Sequence, residues 1–340
     1  MFAHLLELLQ ERQDLTAAEA AGAMAAIMDG VATPSQVAAL LMALRMKGER
    51  PDEIVGLATT MRERAVALAR PRPGAFDTCG TGGDGTGSVN VSSMAALVIA
   101  ACGVPVAKHG NRAVSSRSGS ADVFEALGVR VDAAPAVVEQ CLDRAGVAFF
   151  FAPTFHPSMR HAAPTRRELG VRTAFNLLGP LTNPAGARRQ LVGVPRPEMT
   201  ELVARALAAL GSERAWVVHG ADGFDEISTC GYTKVSACRA GLVTTFFVHP
   251  ADFGVRRARV ADLAGGDARE NAECARGVLA GTRGPIRDIV VLNAAAALLI
   301  AGRVASVREG IGTAEAALDD GAAARVLDAM VRWSNAEVPA

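Results

Sequence analysis

Aromatic residues are scarce in this 340-residue chain: twelve Phe, two Trp and one Tyr make up 4% of it. Because hydrophobic residues still reach 50%, the apolar content is mainly Ala, Val and Leu, which suits helices packed closely on a parallel sheet. Net charge is missing as well, since 35 Lys and Arg offset 35 Asp and Glu and the basic residues are scattered. Without a basic face there is no footprint for nucleic acid and no attraction to an acidic membrane surface. Long apolar runs are also absent: Met94 to Ala107 and Ile289 to Gly302 are too short to span a bilayer and are interrupted by Gly, Pro or Asn. The six cysteines form no C-x-x-C pair and lie far apart, so reduced, buried thiols are expected in place of a disulfide framework or zinc site. Glu7 and Glu11 sit among the first leucines with no basic segment before them, which reads as an amphipathic helix and not a signal peptide; a cytoplasmic location is expected.

The first seventy residues carry helix punctuation. Thr16 with Glu19 and Thr33 with Gln36 have capping-box spacing, Pro34 and Pro51 occupy first-turn positions, and Gly30 and Gly48 mark ends. Val37, Leu40, Leu41, Leu44 and then Ile54, Leu57, Ala58, Met61 repeat at i, i+3, i+4, i+7, so two helices with one apolar face each are predicted. After the Arg70 to Gly74 linker, short apolar segments alternate with helical ones. Val104 to Ala107, Val147 to Phe151, Ala215 to Val218 and Val243 to Val248 read as strands, and Met94 to Cys102, Ala121 to Leu127 and Glu198 to Leu210 as helices. This alternation predicts an α/β chain: a small helical domain over 1–70 and a large α/β domain over 74–340 with a mainly parallel sheet. Ligands of such sheets bind beyond the strand C-termini, so the loops there are the place to seek chemistry.

Three loops stand out. The first, Asp77 to Gly87, holds glycines dense enough to take positive φ and bring N–H groups against a phosphate, with a helix starting near Ser92 or Ser93 pointing its N-terminus there. Gly80, Gly82 and Gly85 fit G-x-G-x-x-G, but the helix begins too late for a dinucleotide fold, and no Lys-Ser/Thr follows as in a Walker loop. The second, Lys108 to Asp122, crowds cations, an imidazole, an amide and hydroxyls between a strand and a helix, which suits an anion; Ser118 or Ser120 could equally serve as an N-cap. The third, His219 to Ser228, brings Asp225 and Glu226 to a strand end with Asp222 near. Adjacent acids suit Mg²⁺ beside phosphates, and they suit a solvated loop as well. A further stretch, Phe155 to Glu168, is basic, yet no H-E-x-x-H or His pair at i, i+4 indicates a transition metal, and no G-x-S-x-G elbow occurs. Phe175 to Pro184 reads as a turn-rich connector suited to a hinge or pocket wall.

Taken in order, Gly80-Thr81-Gly82-Gly83-Asp84, Lys108-His109-Gly110-Asn111-Arg112, the stretch around Arg166, Asn176 to Pro184, Asp225-Glu226 and Leu292 to Ala297 resemble the anthranilate phosphoribosyltransferase family across nearly the whole chain. That resemblance implies a Mg²⁺-dependent homodimer that transfers the phosphoribosyl group of 5-phosphoribosyl 1-diphosphate (PRPP) to the amine of anthranilate in tryptophan biosynthesis. It implies a cleft between the two domains, with helices around 166–184 joining the helical one. By motif, Gly80, Gly83, Asp84, Ser88, Asn90, Val91, Ser92 and Ser93 would meet the diphosphate and its metal. Lys108, His109, Gly110, Asn111, Arg112, Ala113, Val114, Ser115, Ser116 and Ser120 would hold the phosphoribosyl part. Ser92, Asp225 and Glu226 would bind Mg²⁺, and Gly80, His109, Asn111, Arg166 and Pro180 would line the anthranilate pocket. The chain departs from the family's usual residues at Ser93 (threonine), Thr165 (valine) and Tyr232 (proline). Two alternatives are a pyrimidine nucleoside phosphorylase of the same fold type and a catalytically silent binding relative; the carboxylate pair and wide glycine loop favour diphosphate over phosphate.

Overall fold

The computed structural model describes residues 1–113 and 117–337. Four helices come first: α1 (Phe2–Gln10), α2 (Ala17–Met28), α3 (Pro34–Lys47) and α4 (Pro51–Glu63). Both capping boxes form: Thr16 Oγ1 accepts from the Glu19 amide at 3.2 Å and Glu19 accepts from the Thr16 amide at 2.9 Å, and Thr33 with Gln36 repeat the exchange at 3.3 and 3.0 Å. Pro34 and Pro51 each open a helix, where their missing N–H costs nothing.

The rest alternates: β1 (Phe76–Gly80), α5 (Val91–Ala101), β2 (Val106–Gly110), α6 (Ser120–Ala126), α7 (Pro135–Ala145), β3 (Val147–Phe151), α8 (Ala152–Phe155), α9 (Ala163–Leu169), β4 (Arg189–Gly193), α10 (Met199–Ala209) and β5 (Arg214–Gly220). A hairpin of β6 (Thr233–Arg239) and β7 (Leu242–Val248) precedes α11 (Ala268–Leu279), α12 (Pro285–Ala301), α13 (Val307–Asp319) and α14 (Ala322–Ser334). The seven strands form one sheet in the order β3-β2-β1-β4-β5-β6-β7. β1 to β5 pair in parallel, and β6 and β7 are antiparallel additions.

Two apolar cores flank the sheet. One gathers α5, α12, α13 and α14 against it, and the Ala-rich α12 is buried almost all round, as the scarcity of aromatics requires for close helix packing. The other unites α1 to α4 with α10, the β4 and β5 side chains Val192 and Val217, and Phe175, Leu178 and Leu181 of the connector. Arg62 of α4 fastens this union through hydrogen bonds to the carbonyls of Leu181 (2.5 Å) and Leu210 (3.1 Å). The cysteines are all free and five are buried. Among the described residues no helix is long and apolar enough to cross a membrane.

Three strands are missing from the sequence expectation. β1, β4 and β6 carry no signal of apolar alternation; β1 reads Phe-Asp-Thr-Cys-Gly, and its Asp77 and Thr78 are fully buried. The second strand, which the sequence ends at Ala107, pairs with β3 as far as Gly110, so Lys108 and His109 lie within the sheet and not in the loop. Their burial is possible because Lys108 Nζ donates to the Thr78 carbonyl (2.7 Å) and the His109 amide donates to Asp77 Oδ1 (3.1 Å).

Candidate active site

The chain winds from β1 to β2 and β3 on one side and from β4 to β5 on the other, so the winding reverses between β1 and β4. In an open parallel sheet that reversal opens a crevice at the strand C-termini. The loop after β1 lies there, with Gly82, Gly83, Gly85 and Gly87 all at φ between +63° and +73°. Side chains adopt that backbone only under strain, so the glycines are what permit a loop of outward-turned amides. α5 begins at Val91 with its N-terminus at the same crevice; the Val91 and Ser93 amides bond the Val89 and Asn90 carbonyls, and the Ser92 amide donates to Glu226 Oε1 at 3.1 Å.

Asp225 arrives from the β5 side and is wedged between strand ends. A Cβ on Gly80 would collide with its carboxylate, and one on Gly193 with its backbone carbonyl. Burial, followed by repulsion from Asp84, pushes the Asp225 carboxyl up to about 7. Burial and Asp225 raise Glu226 well above the usual carboxylate range, opposed by Lys108. Each acid keeps partial exposure, yet the protein around the pair raises both carboxyls, which a fully solvated acidic loop would not do. Three carboxylates that repel one another without a cation fit a hard divalent ion. Among the described residues no set of three acidic, His or Cys side chains could hold a metal unaided. The fit is therefore to Mg²⁺, which takes a few carboxylates together with substrate phosphates.

Thr81 Oγ1, Ser93 Oγ and His109 Nε2 are buried polar atoms with no partner among the described residues. His109 Nδ1 sits 2.9 Å from the Gly179 carbonyl, so Nδ1 donates and Nε2 is left an unprotonated acceptor. Pro180 is next along the connector, its carbonyl held by Gln190 Nε2 at 2.6 Å. Asn90 links three segments, donating to the Ser118 carbonyl (3.2 Å) and accepting from Asn271 Nδ2 (2.9 Å), and Ser88 bridges to Ala264.

The second loop is only partly free to bind. The Arg112 guanidinium pairs with Glu125 (2.7 and 3.0 Å) and Asp122 (3.1 Å), and the Ala113 amide donates to Asp122 at 3.0 Å. Asn111 is exposed and accepts from Ser120 Oγ at 3.4 Å. A Cβ on Gly110 would strike that hydroxyl. Val114, Ser115 and Ser116 lie outside the described residues.

The Arg166 guanidinium on α9 has no ion pair or hydrogen bond among the described residues; burial draws it down, and it lies over the Phe175 ring at 5.7 Å. A half-buried cation beside an aromatic face, without an acidic partner among the described residues, has the chemistry to suit a planar carboxylate. Thr165 is buried beside it, while Tyr232 is exposed and packs on His249 at 4.8 Å.

Asn293 lies in the Leu292 to Ala297 motif but is given no role by the sequence, because the Ile227 groups that it bonds are 66 residues away. Fully buried on α12, it accepts from the Ile227 amide and donates to the Ile227 carbonyl, both at 2.9 Å, and so pins the segment bearing Asp225 and Glu226. Arg172 is a second such residue: it donates to the Thr81 carbonyl at 3.0 Å and lies under Gly83.

Burial holds His109 at about 3 and His156 at about 4, where the ordinary imidazole value is 6.5. Below 6.5 the unfolded chain binds more protons than the folded one, so this contribution to stability is complete above 6.5 and lost as pH falls towards 4. For His156 alone the loss between pH 7.5 and 5 is about 2 kcal/mol. Urea unfolding of His156→Gln should show a pH difference smaller by that amount than the unsubstituted chain; an equal difference would mean that His156 titrates normally in the fold.

Residues 72–324 match the glycosyl transferase family α/β domain, and residues 3–65 match that family's helical bundle domain. The anthranilate phosphoribosyltransferase of Moorella thermoacetica is 57% identical over 94% of this chain and 95% of its own length. The crystal structure of the Thermus thermophilus anthranilate phosphoribosyltransferase superposes with a TM-score of 0.92 at 46% identity, covering 98% of this chain and 99% of that one. The Saccharomyces cerevisiae enzyme, in complex with PRPP and Mg, superposes at 0.87 with 28% identity, covering 98% of each chain. Identity of this extent along both domains places the chain in the anthranilate phosphoribosyltransferase family.

Proposed function

We propose that the crevice between β1 and β4, closed on one side by the helical bundle, is where this chain carries out its family's reaction. The chain is an enzyme that moves the 5-phosphoribosyl group of PRPP to the amine of anthranilate, giving N-(5-phosphoribosyl)anthranilate and diphosphate for tryptophan biosynthesis. The observation that carries the site assignment is the enclosed Asp225-Glu226 pair facing a glycine loop and a helix N-terminus. Amides of the Gly80, Gly83 and Asp84 loop and of Asn90 to Ser93 receive the diphosphate, and their fixed dipoles oppose the charge that grows there as the bond to C1 breaks. Asp225, Glu226 and Ser92 would hold Mg²⁺, which supplies further charge neutralisation to the leaving diphosphate. Lys108, buried between β1 and β3, and the loop to Ser120 receive the phosphoribosyl part. Arg166 grips the anthranilate carboxylate, and His109 Nε2 offers the amine an acceptor. An aromatic amine is neutral at pH 7 and attacks without prior deprotonation, so orientation is the chief demand on this pocket. The same proposal divides the chain into 1–70 and 74–340 with 166–184 joining the bundle, and includes pairing as a homodimer.

Anthranilate fluorescence provides the assay. The chain with PRPP and Mg²⁺ should consume anthranilate and leave thymidine and uridine intact in phosphate; phosphorolysis without anthranilate loss would favour the nucleoside phosphorylase alternative. In Arg166→Ala the KM for anthranilate should rise about 30-fold or more, the equivalent of one charged hydrogen-bonded pair, with the KM for PRPP within about twofold. Equal losses for both substrates would contradict the assignment.

A further inference from the structure

The Gly83 end of the glycine loop also borders a cavity of about 170 Å³. Its wall combines the end of α3 with Arg45 and Glu49, the segment holding Arg172 and Thr173, and the loop after β4 with Arg196. Apart from Gly83, none of these residues belongs to either substrate in the assignment above.

Three guanidiniums face one carboxylate. Arg196 pairs with Glu198 at 3.3 Å, whereas Arg45 and Arg172 have no ion pair among the described residues. Arg172 feels burial first, then the attraction of Asp225, then the repulsion of Arg196 and Arg45, and burial with that repulsion draws it down. Thr173 is 5% exposed, and its Oγ1 has no hydrogen-bond partner among the described residues. Two guanidiniums without an ion pair among the described residues, one of them drawn down by burial, and a buried hydroxyl border one space, which favours an anion there. The space exceeds the roughly 30 Å³ share of a water several-fold, which admits a diphosphate-sized anion.

We propose that this cavity is a second anion subsite that takes inorganic diphosphate without a metal. The choice of diphosphate rests on the assignment of the glycine loop to the diphosphate of PRPP, since Arg172 touches both that loop, through Thr81, and the cavity. Product leaving the loop would meet guanidiniums, whose planar donors suit phosphate oxygens. Product inhibition would then have a metal-independent part.

Calorimetric titration of the whole chain with inorganic diphosphate in EDTA tests this. One metal-free site per chain is expected, and Arg45→Gln with Arg196→Gln should raise its Kd about tenfold or more. Initial rates before product accumulates should stay within about twofold of the unsubstituted chain. Thr173→Val provides a second variant, expected to weaken the same site about threefold, and a thermal melt of each variant shows that it is folded. Asp225→Asn with Glu226→Gln should keep metal-free binding while losing turnover; turnover that survives there refutes the metal assignment and not the cavity. The proposal is overturned if the unsubstituted chain binds no diphosphate in EDTA, if folded variants bind it unchanged, or if anthranilate binds this site in its place.

Discussion

Asp225→Asn combined with Glu226→Gln is expected to lower kcat/KM by about 10³-fold or more at millimolar Mg²⁺, measured by anthranilate consumption. The amides keep the shape and the acceptor that the Ser92 N–H uses, so the substitution removes charge and little else. It should also leave the metal-free protein at least as stable as before. Both carboxyls sit above their ordinary values, so ionising them at pH 7.5 costs the fold free energy that neutral amides do not demand. Activity lost while thermal stability holds or rises is the signature of a charge cluster kept for function. Activity and stability falling together would indicate a structural pair, and unchanged metal dependence would place the divalent ion elsewhere.

Asn293→Ala is expected to destabilise by about 3–5 kcal/mol in urea unfolding. It strands the Ile227 N–H and C=O in a buried setting, at about 1–3 kcal/mol for each unsatisfied group, and empties part of a tightly packed helix. Since Ile227 follows Glu226 directly, the segment bearing the carboxylates should loosen. Under conditions where the variant remains folded, its half-maximal Mg²⁺ concentration should rise about tenfold, with the KM for anthranilate little affected. A variant that loses stability but keeps its Mg²⁺ requirement would make Asn293 a packing residue only.

Local signals and tertiary ones are unequally legible in this sequence. Helix starts such as Thr16 and Thr33 can be read because the capping box is complete within four residues. The strands β3, β5 and β7 are recognisable as apolar runs, and the structure extends β5 and β7 by a residue or two at their ends. β1 and β4 escape notice because central strands here carry Asp77, Thr78, Arg189 and Gln190, whose partners are supplied by β2, the end of α12 and the connector. The same reason hides the last residues of β2: nothing adjacent in sequence shows that Lys108 can be buried. The site follows this pattern. Gly80 to Gly87 is marked by composition, whereas Asp225 and Glu226 are as consistent with a solvated loop until the fold encloses them. Asn293 and Arg172 give no local sign, since each acts on a segment far away in the chain.

The zero net charge of the chain has a local counterpart. The glycine-loop amides, the α5 N-terminus and Lys108 gather cationic character in one crevice, and in the proposed function a divalent ion at Asp225 and Glu226 would complete its charge count. The most direct test is a crystal of the chain soaked with PRPP and Mn²⁺ in place of Mg²⁺, read by anomalous scattering. The account predicts a peak at coordination distance, about 2.2 Å, from Asp225 or Glu226 and from phosphate oxygens seated on the Gly80 to Asp84 loop. A peak remote from both acids, or a diphosphate bound away from that loop, would contradict it.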